Sequence, residues 1–111
     1  MLNWKEYRTK LMARLGGFAK LSPETMKGYQ TLAKANAEGG VLDTKTRELI
    51  SMAVAVTTRC DGCIGVHAAA AKKAGATEQE LAEALSVAVA MNAGAAMVYS
   101  ARALDAFEAA E

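Results

Sequence analysis

Large rings are scarce in this chain, with aromatics at only 5% of 111 residues, and chemically versatile side chains are scarcer still. There are two cysteines and one histidine, beside one proline and one tryptophan. The shortage of aromatics excludes a core built on large rings. The apolar fraction of 52% contains much alanine, so the interior must form from small side chains at close helix spacing. Small residues bury little area each, at ~25 cal/mol per Å². A lone domain of this size is then only modestly stable, and oligomerisation is the expected remedy. Charge of one sign is also lacking: the net is +1 and the 23% charged residues are interspersed. Nothing in that balance suggests the basic face or stripe that a nucleic-acid partner needs. No segment reaches the ~18 or more uninterrupted apolar residues of a membrane span, and Met1-Leu2-Asn3-Trp4-Lys5-Glu6 has no apolar signal core. One soluble, cytoplasmic domain spanning residues 1–111, with no membrane partner, is expected.

What is present reads as helix. Trp4, Tyr7, Leu11 and Leu15 form one stripe, punctuated by Gly16-Gly17. Ser22-Pro23-Glu24 opens a second helix, Ser22 as N-cap and Pro23 at its first position, running to about Ala37 before Gly39-Gly40. A third starts near Asp43 or Thr44 and reaches about Thr57; its apolar Met52–Val56 run marks a central helix. After Thr58-Arg59 a fourth begins at the cysteines and ends at Lys72-Lys73-Ala74-Gly75. Thr77 and Glu80 have capping-box spacing for a fifth. Asn92-Ala93-Gly94 then interrupts, and a last helix carries Tyr99, Ala103 and Phe107. The expected fold is all-α, a single bundle of about six helices.

Both cysteines and the histidine fall in one window, Cys60-Asp61-Gly62-Cys63-Ile64-Gly65-Val66-His67. Two residues between thiols allow a reversible local disulfide. If the fourth helix begins near Asp61, its unpaired N–H groups and dipole favour a thiolate, lowering a cysteine pKa from about 8.5 toward roughly 3.5–7.5. Arg59 adds a positive charge, whereas the carboxylate of Asp61 opposes thiolate formation at Cys60. His67 lies four residues beyond Cys63, on the same helix face, where it can serve as base or imidazolium partner. Glu48, twelve positions before Cys60, can fold back over the thiols to orient His67 or pass protons; its ordinary role would be that of a helix-dipole or surface residue. Two small buried cysteines, an intersubunit zinc site and a satisfied core histidine are the other readings of this window. The methionines Met52, Met91 and Met97 read as core filler.

The pattern Glu48, Cys60-x-x-Cys63-x-x-x-His67, Ala-Ala-Ala-Lys-Lys-Ala-Gly75 and a Thr-x-x-Glu helix start resembles the carboxymuconolactone decarboxylase family, within it the alkyl hydroperoxidase D-like branch. The resemblance covers roughly Leu42 to Phe107. It implies an all-α fold whose small members assemble as trimers or hexamers. It implies that Cys63 attacks the peroxide through a sulfenic acid, that Cys60 is the resolving thiol and proton donor closing a Cys60–Cys63 disulfide, and that His67 and Glu48 form a proton relay. The sequence departs from the best-studied branch at Gly62, where a histidine often precedes the second cysteine.

The resulting expectation is a thiol-dependent peroxidase that reduces a small-molecule hydroperoxide and is itself reduced by a lipoyl group or a thioredoxin-like protein. No metal, flavin or nucleotide cofactor is expected. Two other functions fit the same residues: an acid–base decarboxylase or lactone-processing enzyme using His67 and Glu48, and a non-enzymatic redox sensor.

Overall fold

The capping signals of the sequence become helix boundaries in the computed structural model, which describes residues 1–35, 37 and 39–111. Five helices follow in order: α1 (Trp4–Leu21), α2 (Pro23–Lys34), α3 (Thr44–Thr57), α4 (Asp61–Lys73) and α5 (Glu78–Ala109). No strand occurs among the described residues. Asp43 caps α3 by accepting from the Thr46 N–H at 2.8 Å. Thr77 and Glu80 form the full capping box of α5, each side chain accepting from the other's backbone N–H at 3.0 Å. Thr77→Ala is expected to cost about 1 kcal/mol, read as a lower midpoint in thermal unfolding; an unchanged midpoint would mean that tertiary packing alone holds this helix start.

Three sequence expectations are corrected. Gly16-Gly17 does not end α1, which continues to Leu21. α2 stops at Lys34, with Ala35 and Ala37 in turns, while Asn36 lies outside the described residues. Asn92-Ala93-Gly94 does not interrupt α5, so five helices and not six occur among the described residues. The reason lies in the bonds of Asn92. The Asn92 amide donates to the Ala88 carbonyl at 2.7 Å and to the Thr57 hydroxyl at 2.9 Å, so it ties the turn to its neighbour instead of competing with it. A helical glycine costs only about 1 kcal/mol, too little to stop the helix here. Continuity also gives α5 an 18-residue window of mean hydropathy 1.6, enough by length and composition to cross a membrane. Ser86, Asn92 and Ser100 hid that window from a search for unbroken apolar runs.

α3 is the central element, packing on α4 and α5; α1 lies on α4, and α2 on α1. Short links make α4 antiparallel to α3. The buried apolar residues are small or flexible: Met52 and Ala55 of α3, Ala71 of α4 and Ala88 of α5. Across the starts of α3 and α5, Lys45 pairs with Glu80 at 2.8 Å. This bond raises the Lys45 ammonium above its ordinary range and holds the Glu80 carboxyl below its own.

Candidate functional site

The chain reversal between α3 and α4 places the thiols. α3 ends at Thr57, with Thr58 as C-cap, Arg59 in the left-handed region at φ 54° and Cys60 next. The Arg59 N–H bonds the Val56 carbonyl at 3.3 Å and the Cys60 N–H bonds the Ala55 carbonyl at 3.1 Å, the paired bonds of a Schellman turn. α4 ends the same way, but there the left-handed position belongs to Gly75, at φ 89°. Arginine at this position costs about 1–2 kcal/mol relative to a conformation it prefers. Arg59→Gly is therefore expected to stabilise the protein by up to about 1 kcal/mol, after glycine's own entropic cost. Chemical denaturation checks this; a destabilised variant would show that the Arg59 side chain outweighs its backbone.

The Schellman turn delivers Cys60 to the N-cap of α4, where its sulfur accepts the Cys63 N–H at 3.1 Å. Cys63 sits in the first turn, and the two are joined as a disulfide with Cα atoms 5.2 Å apart. Asp61 and Arg59, one on each side of Cys60, are exposed.

One turn after Cys63, His67 meets Glu48 of α3, its Nδ1 lying 2.7 Å from Glu48 Oε2. An ionised carboxylate only accepts, so Nδ1 carries the proton and donates, leaving Nε2 as the working nitrogen. Both side chains are largely covered, at 35% and 19% exposure. Partial burial strengthens the pair relative to one in open water.

The pair stands between two cavities. One, of about 260 Å³, is lined by Ile50, Val54 and Ala55 together with Ser51, Thr58, Cys63 and His67, so Cys63 and His67 share a mainly apolar space. Cys60 is not among its lining residues. The other, of about 390 Å³, holds Arg47, Glu48, Ser51 and His67. Sequence reading missed Ser51 and Arg47, although Ser51 lies three residues beyond Glu48 and shares its helix face.

It also missed the role of α1. Leu11 covers Gly62, where an added Cβ would come within 2.8 Å of Leu11 Cδ2. At Gly65 an added Cβ would meet Arg8 Cγ at 3.2 Å and the Trp4 ring at 3.4 Å, and the Arg8 guanidinium donates to the Gly65 carbonyl at 3.3 Å. An alanine at 62 needs only a turn of the Leu11 side chain, whereas a histidine needs α1 to move away. Gly62 is thus the residue that lets α1 dock over the cysteine loop. The spacing of Gly62 and Gly65 on one face of α4 was the available signal.

Residues 23–106 match the model of the carboxymuconolactone decarboxylase family. An uncharacterised protein of Haemophilus influenzae is 54% identical over 105 residues, covering 95% of this chain and 93% of that protein. An uncharacterised protein of the cox locus of Paracoccus denitrificans is 37% identical over 95 residues, 86% of each chain. Among solved structures, the apo form of a carboxymuconolactone decarboxylase family protein from Legionella pneumophila superposes with a TM-score of 0.75 at 44% identity, covering 95% of this chain and 94% of that one. A protein from Methanobacterium thermoautotrophicum gives 0.70 at 39% identity, covering 77% of this chain and 96% of that one. With its all-helical fold and its cysteine and histidine helix, the chain belongs to the carboxymuconolactone decarboxylase family.

Proposed function

We propose that this protein is a thiol-dependent hydroperoxide reductase. The observation that carries the reading is the shared cavity: Cys63 opens into the same apolar space as an imidazole already oriented by a carboxylate at 2.7 Å. The hydroperoxide enters this space. The Cys63 thiolate attacks the distal oxygen, the O–O bond breaks, and the leaving alkoxide takes a proton held by the His67–Glu48 pair. The alcohol departs and Cys63 is left as a sulfenic acid.

Cys60 is suited to the next step. Its sulfur accepts an N–H of α4, the interaction that favours a thiolate. It displaces hydroxide from the sulfenic sulfur, which leaves as water after protonation, and the disulfide forms. A lipoyl or thioredoxin-like dithiol then attacks Cys63, expelling the helix-stabilised Cys60 thiolate as the better leaving group, and a second exchange frees both thiols. The chemistry needs no bound cofactor. The His67–Glu48 pair would equally serve an acid–base lactone or decarboxylation enzyme, in which the thiols are dispensable.

We also assign the protein to a homo-oligomer. Its accessible surface is 9002 Å², against about 5,800 Å² for a compact monomer of 11.6 kDa. Its radius of gyration is 18.1 Å, against about 13 Å.

The deciding experiment measures consumption of an organic hydroperoxide with dihydrolipoamide as reductant. Turnover that requires both cysteines supports the reading; no turnover with verified reduced thiols removes it.

A further inference from the structure

A groove with mainly apolar walls lies away from the cysteines. α1 and α2 diverge to form an apolar groove of about 580 Å³, with Met12, Leu15, Phe18, Met26 and Tyr29 among its walls. Among the described residues no other helix packs into it, since α2 contacts α1 alone. At the opposite end of the sequence, every residue from 95 to the end of α5 is exposed. This overhang is about four turns and 22 Å long. Met97, Leu104 and Phe107 lie on one stripe of it, and they are 72%, 70% and 84% exposed. A helix of that length holds together poorly in water on its own propensity.

The charges of the two parts are opposite. α1 and α2 carry seven lysines and arginines against Glu6 and Glu24, a net +5. The overhang and the residues after it carry Asp105, Glu108 and Glu111 against Arg102, a net −2, and Arg102 already lies over the Tyr99 ring at 5.1 Å. Among the described residues, none of Lys20, Lys27, Asp105 and Glu108 is in an ion pair. The surface in excess of a compact monomer, about 3,200 Å² per chain, is in the range buried by obligate subunit contacts.

The geometry points to one occupant: the α1–α2 groove of one copy receives the C-terminal half of α5 from a second copy. Met97, Leu104 and Phe107 enter as apolar anchors at helical spacing, in the manner of a helix in a groove. The basic arm meets the acidic overhang around them, which sets orientation and excludes arm-on-arm pairing. This inference rests on the homo-oligomer assigned above and adds which surfaces meet.

The test is charge reversal in the full chain, read as solution mass by analytical ultracentrifugation with helicity checked by circular dichroism. Asp105→Lys with Glu108→Lys is expected to weaken assembly about 100-fold. Lys20→Glu with Lys27→Glu is expected to do the same. All four changes in one chain are expected to restore assembly, because the signs are complementary again. If either pair leaves the assembly intact, or the fourfold variant stays dissociated with native helicity, the inference is overturned.

A second measurement covers variants that fail to fold. Carbodiimide cross-linking of mixed nitrogen-14 and nitrogen-15 wild-type chains should yield mixed-label links between residues 4–34 and 95–111. Links confined to single-label pairs, or joining other segments only, would overturn it. A monomeric wild type would remove both the oligomer and this contact. If that monomer sediments with phosphatidylglycerol vesicles, α5 is a membrane-binding helix instead.

Discussion

Serine at position 63 is expected to abolish hydroperoxide consumption in the dihydrolipoamide assay. The oxygen atom has to be accepted by a polarisable thiolate, and a serine hydroxyl of ordinary acidity neither ionises near neutral pH nor reduces an O–O bond. Cys63 is the cysteine in the cavity with His67, whereas Cys60 faces the backbone of α4. The two serine variants should therefore differ. Cys63→Ser loses the first step. Cys60→Ser keeps one stoichiometric oxidation, trapped as a sulfenic acid, and loses turnover. Mass spectrometry after a single peroxide addition distinguishes them: a gain of one oxygen on Cys63 in the Cys60→Ser variant is expected. Full turnover by Cys63→Ser would remove the thiol mechanism and leave the acid–base reading of the same pocket.

Glu48→Gln is expected to lower kcat/KM by about 100-fold while leaving the unfolding midpoint within a degree or two. The amide keeps the size of the side chain and can still accept from His67 Nδ1, so packing at the α3–α4 contact survives. What is lost is the negative charge that stabilises an imidazolium. General acid–base groups contribute on the order of 10²–10⁴-fold, and an amide in place of the carboxylate removes the lower end of that range. Unaltered kinetics would return Glu48 to the role of a helix residue with a surface charge. A loss of activity in Glu48→Gln combined with full activity in Cys63→Ser would identify an acid–base enzyme.

Much of the site was legible in the sequence because it is local. Cys60, Cys63 and His67 lie within one helix start, so spacing alone sets which of them can share a face. The N-cap position of Cys60 follows from the polar turn at Thr57 to Arg59, and the Thr77-x-x-Glu80 box is written in four residues. Glu48 is the intermediate case. Its distance from His67 depends on how α3 folds back on α4, and sequence could supply only the short turn that makes contact feasible. The Schellman turn with Arg59 in a left-handed conformation was not legible, since that position ordinarily marks itself with glycine.

The errors share a different cause. Gly16-Gly17 and Asn92-Ala93-Gly94 were read as helix stops because glycine and asparagine disfavour helix by about 1 kcal/mol or less each. Hydrogen bonds from Asn92 to Thr57 and Ala88 outweigh that preference in α5, and no sequence rule reports a partner 35 residues away.

By itself the sequence determined the all-helical class, four of the five helix starts and the window that holds both cysteines and the histidine, because capping, periodicity and i, i+4 spacing act over a few residues. Tertiary structure decided three further things: the His67–Glu48 contact, the α1 helix docked over Gly62, and the apolar groove of the basic α1–α2 arm and the acidic end of α5, left without partners among the described residues. Each of these depends on which faces of distant segments meet, and that is set by burial summed over the whole molecule instead of by any local preference.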